Sequence, residues 1–166
     1  IRIDAEPIDG FFVAKQISEY LSSNQYDLII AGRESIDYNG GMVPGLIAGL
    51  TKMNFVTNCI GIEIKNTSAT LEREIDGGKE TLSCEIPLII GGQKGLVEES
   101  DLRIPNMRGI MQARQKPLEV LTAFSSDFKT NSVKFHKPAP RKEVKLVSPD
   151  NLDELIDLLH NEAKVL

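Results

Sequence analysis

The chain has 166 residues, a net charge of -5 at pH 7, 41% hydrophobic and 26% charged residues, a composition suited to one α/β core and little more. The acidic balance, with no Lys/Arg-rich face, excludes a nucleic-acid binder driven by phosphate neutralisation, and no apolar run approaches the ~20 residues of a membrane span, so neither nucleic acid nor membrane insertion is expected. Cys59 and Cys84 stand alone, without CxxC or Cys/His spacing, and are expected as buried free thiols rather than a disulfide or a metal site.

The chain opens on Ile1-Arg2-Ile3-Asp4, which reads like the end of a strand and lacks an initiator Met. The expectation is a piece of something longer, or a processed chain. A helix is predicted over residues 9–23, with Val13, Ile17, Tyr20 and Leu21 on one face and Asp9 as N-cap. Residues 26–32 are a nearly continuous apolar run, the pattern of a buried parallel strand. A loop over 33–41 holds Asp37, Asn39, Gly40 and Gly41, and a second helix is predicted over 42–53 with Val43, Ile47 and Leu50 on one face. Helix, strand, loop and helix joined by short connections make the rhythm of a doubly wound sheet.

The rhythm then changes. Residues 55–65 alternate Ile60, Ile62 and Ile64, residues 70–75 read as a second strand, and Asp76-Gly77 between strand-like runs is a hairpin signal. Residues 80–90 are predicted as the returning strand, ending in Pro87-Leu88-Ile89-Ile90. A Pro-containing loop and a short helix from near Arg108 occupy 103–116. The stretch 117–147 is long and weakly patterned, which suggests either an extended arm lying on a partner or local disorder. A final helix is predicted over 152–163, with Leu152, Leu155, Ile156 and Leu159 as its stripe and Asn151 with Glu154 as a capping box.

Few constellations could carry chemistry. His136 and His160 are the only histidines, far from the Gly-rich loop in sequence, and are expected at the surface. No HExxH, GxSxG or GxxxxGK[ST] motif occurs. The loop from Gly32 to Gly45 joins the carboxyl end of a strand to a helix start, where ligands bind in open α/β sheets. Gly40 and Gly41 let backbone N–H groups approach an anion, and the helix offers its positive end to phosphate. Gly-rich turns also occur for steric reasons alone, so this loop leaves nucleotide binding open. The hairpin around Glu72, Arg73, Glu74, Asp76, Lys79 and Glu80 is either a solvated surface or a docking or switching one. Ile104-Pro105-Asn106-Met107-Arg108-Gly109-Ile110-Met111 either packs on its own domain or anchors a partner through adaptable Met side chains.

Together these segments resemble the beta subunit family of electron transfer flavoproteins. The similar stretches are Ala31-Gly32-Arg33-Glu34-Ser35-Ile36-Asp37, the hairpin Glu72-Arg73-Glu74-Ile75-Asp76-Gly77-Gly78, and Arg103-Ile104-Pro105-Asn106-Met107-Arg108-Gly109-Ile110-Met111-Gln112-Ala113-Arg114 with Lys116-Pro117. The ending Glu162-Ala163-Lys164-Val165-Leu166 is also similar. Family members are longer at the N-terminus, in keeping with the abrupt start. The resemblance implies an α/β fold with a mostly parallel sheet flanked by helices, a Rossmann-like three-layer arrangement with an inserted antiparallel hairpin over 70–90. Residues 1–117 would be the C-terminal part of that domain, with a recognition loop at 103–114, and 118–166 an extended arm ending in a helix.

The resemblance also implies a cytoplasmic electron carrier rather than an enzyme. It would shuttle electrons from flavin dehydrogenases, such as acyl-CoA dehydrogenases, to a quinone oxidoreductase or other acceptor. FAD would be held mainly by an alpha subunit, which the arm wraps. AMP would sit at Gly32, Asp37, Tyr38, Asn39, Gly40, Gly41, Met42 and Val43, or a second FAD would occupy that place, as in bifurcating relatives. Ile104, Pro105, Met107, Ile110 and Met111 would form the partner-recognition surface, with Met107 aligned to an apolar anchor that is often Leu. Glu74 aligns with a carboxylate that pairs with an alpha-subunit arginine and switches domain arrangement. Many members have Gln, then Val or Thr, then Gly where this chain has Met42-Val43-Pro44. That departure leaves open a weaker, reshaped or empty AMP site, because Met donates no hydrogen bond and Pro44 removes an N–H. A stand-alone adenine-nucleotide-binding module without a redox partner is the competing reading.

Overall fold

A strand, β1 (Arg2–Asp4), opens the chain and leads to helix α1 (Gly10–Ser23) in a computed structural model that describes residues 1–6, 9–141 and 143–165. Asp9 is the N-cap, its Oδ1 accepting the Phe12 N–H at 2.7 Å, and Asn24 closes the helix. The buried face of α1 is rotated from the expected one. Ile17 and Leu21 pack inward with Ala14, but the most buried side chains are Phe12, Ala14, Gln16 and Ser18 rather than Val13 and Tyr20. The helix is covered twice, by a second helix and by the backbone at Phe124, so its buried band is wider than one stripe.

The main sheet has five strands: β2 (Leu28–Gly32), β3 (Asn54–Lys65), β4 (Ser68–Ile75), β5 (Gly78–Glu85) and β6 (Leu88–Gly92), in the order β2-β6-β3-β4-β5. The first three run parallel, and β4 and β5 continue as an antiparallel hairpin from β3. Helix α2 (Val43–Thr51) packs with α1 on one face of the sheet, and the fold is α/β with a largely parallel sheet flanked by helices, as expected. Two departures follow from position in the sheet. β2 is parallel but lies at an edge, so Ile30 is 62% exposed rather than buried. The single returning strand expected over 80–90 is two strands. β5 ends at Glu85, and Pro87, which has no N–H for a ladder, precedes the central strand β6.

Alternation along β6 sends side chains to both faces. Ile89 meets Ala14, Ile47 and Ala48 on the helical side. Leu88 and Ile90 meet Val56, Cys59, Ala69 and Leu71 on the other, where the hairpin closes over them. Leu71, Leu88, Ile89 and Ile90 are fully buried, each contributing about 1.5–3 kcal/mol of transfer free energy. β3 serves both parts because it bends. Its register shifts around Cys59 and Asn58 adopts φ +54, so its first half pairs with β6 and its second with β4. Burial accordingly falls on Val56 and Cys59, while Ile64 of the expected Ile alternation points outward. The hairpin turns at Asp76-Gly77, Gly77 taking φ +86, a conformation that suits a residue without Cβ.

Beyond the sheet lie a single 3-10 turn at Glu99–Asp101, helix α3 (Met107–Ala113) and β7 (Val120–Thr122). β7 pairs in parallel with β1 inside a stretch that had shown no pattern. The first compact unit spans Ile1–Asn131. In the second, Ser132–Leu166, the described residues before α4 (Leu152–Asp157) form no helix or strand, and α4 continues as a π-helical turn, Leu158–Glu162. The capping box is not formed there. Asn151 Nδ2 donates to Glu154 Oε2 at 3.0 Å instead of accepting a backbone N–H, because Asn151, at ψ 65, lies outside the extended backbone of an N-cap. Leu166, the last residue of the family-like ending, lies outside the described residues.

Candidate functional site

The carboxyl ends of the parallel strands converge on one edge of the sheet. Gly32 ends β2 beside Gly92 at the end of β6, and Arg33 N donates to the Gly92 carbonyl at 3.2 Å. Beyond it the loop folds on itself: Ser35 N donates to Gly40 O at 2.9 Å, and Gly40 N to Ser35 O at 3.2 Å. Asn39 takes φ +49 to close this turn. The Ser35 hydroxyl donates to Asp37 and holds its carboxyl below the ordinary carboxylate value. Tyr38 and Met42 are exposed, and Met42 Sδ also packs against the start of α1, 3.0 Å from where a Cβ on Gly10 would lie.

α2 begins at Val43 with no side-chain cap and Pro44 in its first turn. The N–H groups of Val43 and Gly45 remain for an anion, one fewer than a helix start without Pro offers. A Cβ on Gly40 would meet nothing within 4 Å, so the loop leaves open space beside Gly40, while Gly41 backs onto the Arg33 carbonyl. These residues suit a phosphate cradle with few donors. The eight predicted residues from Gly32 to Val43 thus share one strand-to-helix connection.

Glu74 stands near the hairpin tip, across from Lys79 in register. Gln93 Nε2 donates to its Oε2, and Asn58 Nδ2 donates to its backbone carbonyl at 3.4 Å. The neighbouring cross-strand pair, Arg73 Nε to Glu80 Oε2, is 2.5 Å apart. Arg33, Asn58, Arg73, Glu74 and Gln93 line a polar recess of about 640 Å³ where the ends of β2, β4 and β6 meet the bend of β3. The sequence reading missed Asn58 and Gln93. Their signals were present: an Asn inside a β-branched run, and a polar residue directly after Gly91-Gly92 at a strand end. Gln93 Oε1 is buried with no hydrogen-bond partner among the described residues.

The third region faces solvent. Asn106 caps α3, its Oδ1 accepting the Gly109 N–H at 2.8 Å, so the turn is held by a side chain of its own segment. Ile104 is 88% exposed and Met107 74%; Ile110 and Met111 are also exposed, and Pro105 lies between the first two. Five apolar residues are therefore displayed on a self-supporting segment. His136 and His160 are exposed. Cys59 is buried and Cys84 half-buried, and burial pushes the Cys59 thiol up, away from a reactive thiolate. No helix among the described residues is long and apolar enough to cross a membrane.

The family described as the electron transfer flavoprotein domain matches residues 4–125. The electron transfer flavoprotein subunit beta of Bacillus subtilis is 30% identical, covering 100% of this chain and 67% of that protein. The mitochondrial subunit beta of Oryza sativa subsp. indica is 31% identical over 98% of this chain and 64% of its own length, and that of Arabidopsis thaliana 32% over 93% and 62%. The chain thus spans about two thirds or less of the length of these relatives.

Proposed function

The chain belongs to the electron transfer flavoprotein family, and from that premise we propose that it is the larger part of a beta subunit, an electron carrier that docks partners without transforming a substrate of its own. The observation that carries this reading is the similarity to relatives named subunit beta across nearly the whole chain. Its partner is an alpha subunit that holds most of the FAD and is wrapped by the C-terminal arm. The flavin, when bound, supplies reversible one- and two-electron chemistry. Electrons come from flavin dehydrogenases, acyl-CoA dehydrogenases among them, and pass to a quinone oxidoreductase or another acceptor in the cytoplasm.

In this reading each region has a task. Asp37, Tyr38, Asn39, Gly40, Gly41, Met42 and Val43, with Gly32 behind them, hold the phosphate and ribose of AMP, or of a second FAD at the same place. The free N–H groups of Val43 and Gly45 support an anion there, and the missing donor at Pro44 implies weaker retention than an uninterrupted helix start gives. Ile104, Pro105, Met107, Ile110 and Met111 form the docking surface. Their exposure supports this, since apolar side chains displayed on a capped turn can enter a partner's pocket with little ordering cost. Glu74 is the switch, pairing with an arginine of the alpha subunit's flavin domain and so holding an open arrangement.

The test is reconstitution. The full-length subunit is combined with a flavin-loaded alpha subunit, and flavin reduction by a dehydrogenase is followed optically, then the complex is denatured and its nucleotides identified. Rapid reduction and released AMP, or two FAD per complex, are expected. Flavin reduction no faster than with the alpha subunit alone would sink the carrier role, and absence of any adenine nucleotide beyond one FAD would sink the nucleotide assignment.

A further inference from the structure

Within the first unit, the stretch that follows α3 is fastened at three stations to β1, to α1 and to its N-cap. β7 pairs with β1, and Arg2 N donates to Glu119 O at 2.8 Å. Two residues past β7, Gln16 on α1 grips the backbone of Phe124 from both sides: Nε2 donates to Phe124 O at 2.9 Å, and Oε1 accepts Phe124 N–H at 2.7 Å. Five residues later, Asp9 Oδ2 accepts the N–H groups of Lys129 and Thr130 at 2.6 and 2.7 Å, and the Thr130 hydroxyl at 3.3 Å. The Lys129 ammonium lies 5.3 Å from the centre of the Phe11 ring. The compact unit ends one residue beyond this clasp, at Asn131.

Two features mark the clasp as specific. Gln16 is only 4% exposed, and a buried carboxamide is costly unless both of its polar ends are satisfied. Here the backbone N–H and C=O of one residue, Phe124, satisfy both, as a residue of a neighbouring strand would. Asp9 divides its carboxylate, Oδ1 capping α1 and Oδ2 capturing the arm. The first turn of α1 and the root of the arm are thereby fixed by one side chain.

We propose that Asp9 and Gln16 are positioning residues that fasten the root of the C-terminal arm, so that the chain beyond Asn131 is offered to the alpha subunit from a fixed point. Pinning the root limits the conformations the arm must give up on binding, which favours association without adding a contact to the partner. The presentation part rests on the subunit reading above; the clasp itself does not.

Asp9→Asn and Gln16→Leu test it in the full-length subunit. Asn caps a helix about as well as Asp, so Asp9→Asn spares α1 while removing the charge that holds two arm amides. Gln16→Leu keeps volume and removes the grip. Amide exchange of Phe124, Lys129 and Thr130 in the subunit alone is expected to quicken about tenfold, with amides of β2 and β6 unchanged. Trypsin cleavage after Lys129 is expected to appear, and affinity for the alpha subunit to fall about tenfold. Unchanged exchange at these three amides overturns the clasp. Faster exchange with wild-type affinity overturns the presentation claim. If the unaltered subunit does not bind an alpha subunit, the subunit reading and the presentation claim fail together, and exchange alone still decides the clasp.

Discussion

Ile104→Ala separates docking from folding. Ile104 is 88% exposed in the turn before α3, so its side chain contributes almost nothing to the core. Removing its three outer carbons deletes about 2.4 kcal/mol of burial at ~0.8 kcal/mol per carbon, and about 2 kcal/mol after scaling by the exposed share. Wherever a dehydrogenase buries this residue, that loss weakens docking about 30-fold. The change falls in KM and leaves kcat nearly untouched, since the residue binds ground state and transition state alike. The folding midpoint stays within about 0.5 kcal/mol of wild type. The assay is steady-state flavin reduction in the reconstituted heterodimer, across a range of dehydrogenase concentrations, beside thermal unfolding of the subunit. An unchanged KM refutes the docking assignment. A fall in melting temperature of several degrees refutes the exposure argument, because it places Ile104 in a core.

Other outcomes follow from the same geometry. Met107→Ala, exposed to a similar degree, slows electron acceptance while leaving the flavin content intact, and normal transfer kinetics count against its role as an anchor. Leu71→Ala removes a fully buried side chain that joins the hairpin to the parallel strands, and costs about 2–5 kcal/mol in urea unfolding; a loss below 1 kcal/mol contradicts the packing. The Asp9 carboxyl is held below its ordinary 3.8: partial burial acts to raise it, but the N–H groups of Phe12, Lys129 and Thr130 outweigh that. A depressed carboxylate contributes stability that is present above its unfolded value and lost as pH falls through the folded one. Protection of the Thr130 amide should therefore be level at neutral pH, decline below 3.8, and show no such transition in Asp9→Asn. Glu74→Gln keeps the fold but alters the arrangement of the heterodimer in small-angle scattering; unchanged scattering and transfer rates count against the switch.

Local features of the fold were legible where short-range physics decides them. Asp9 as an N-cap, the Asp76-Gly77 turn and the start of α3 near Arg108 follow from capping and turn preferences within a few residues. What the pattern missed depends on distant neighbours. The edge position of β2, which exposes Ile30, is set by strand order, and strand order is not written in the strand. The pairing of β7 with β1 joins segments more than 110 residues apart, and the three residues of each carry little periodicity. Gln16 lies outside the predicted stripe of Val13, Ile17, Tyr20 and Leu21; only the arrival of Phe124 makes it a core residue. At the candidate site, Glu74 and the glycines stand out through local motif, whereas Gln93 and Asn58 become neighbours of Glu74 only when β4 and β6 both pair with β3.

Whether this chain is part of a beta subunit is decided in one mixture. The full-length subunit and a FAD-loaded alpha subunit, combined at equal concentration, are passed over a sizing column with light scattering. A one-to-one complex that carries the flavin absorbance is expected. Two separate peaks at the masses of the free chains, with all flavin in the alpha-subunit peak, would contradict it.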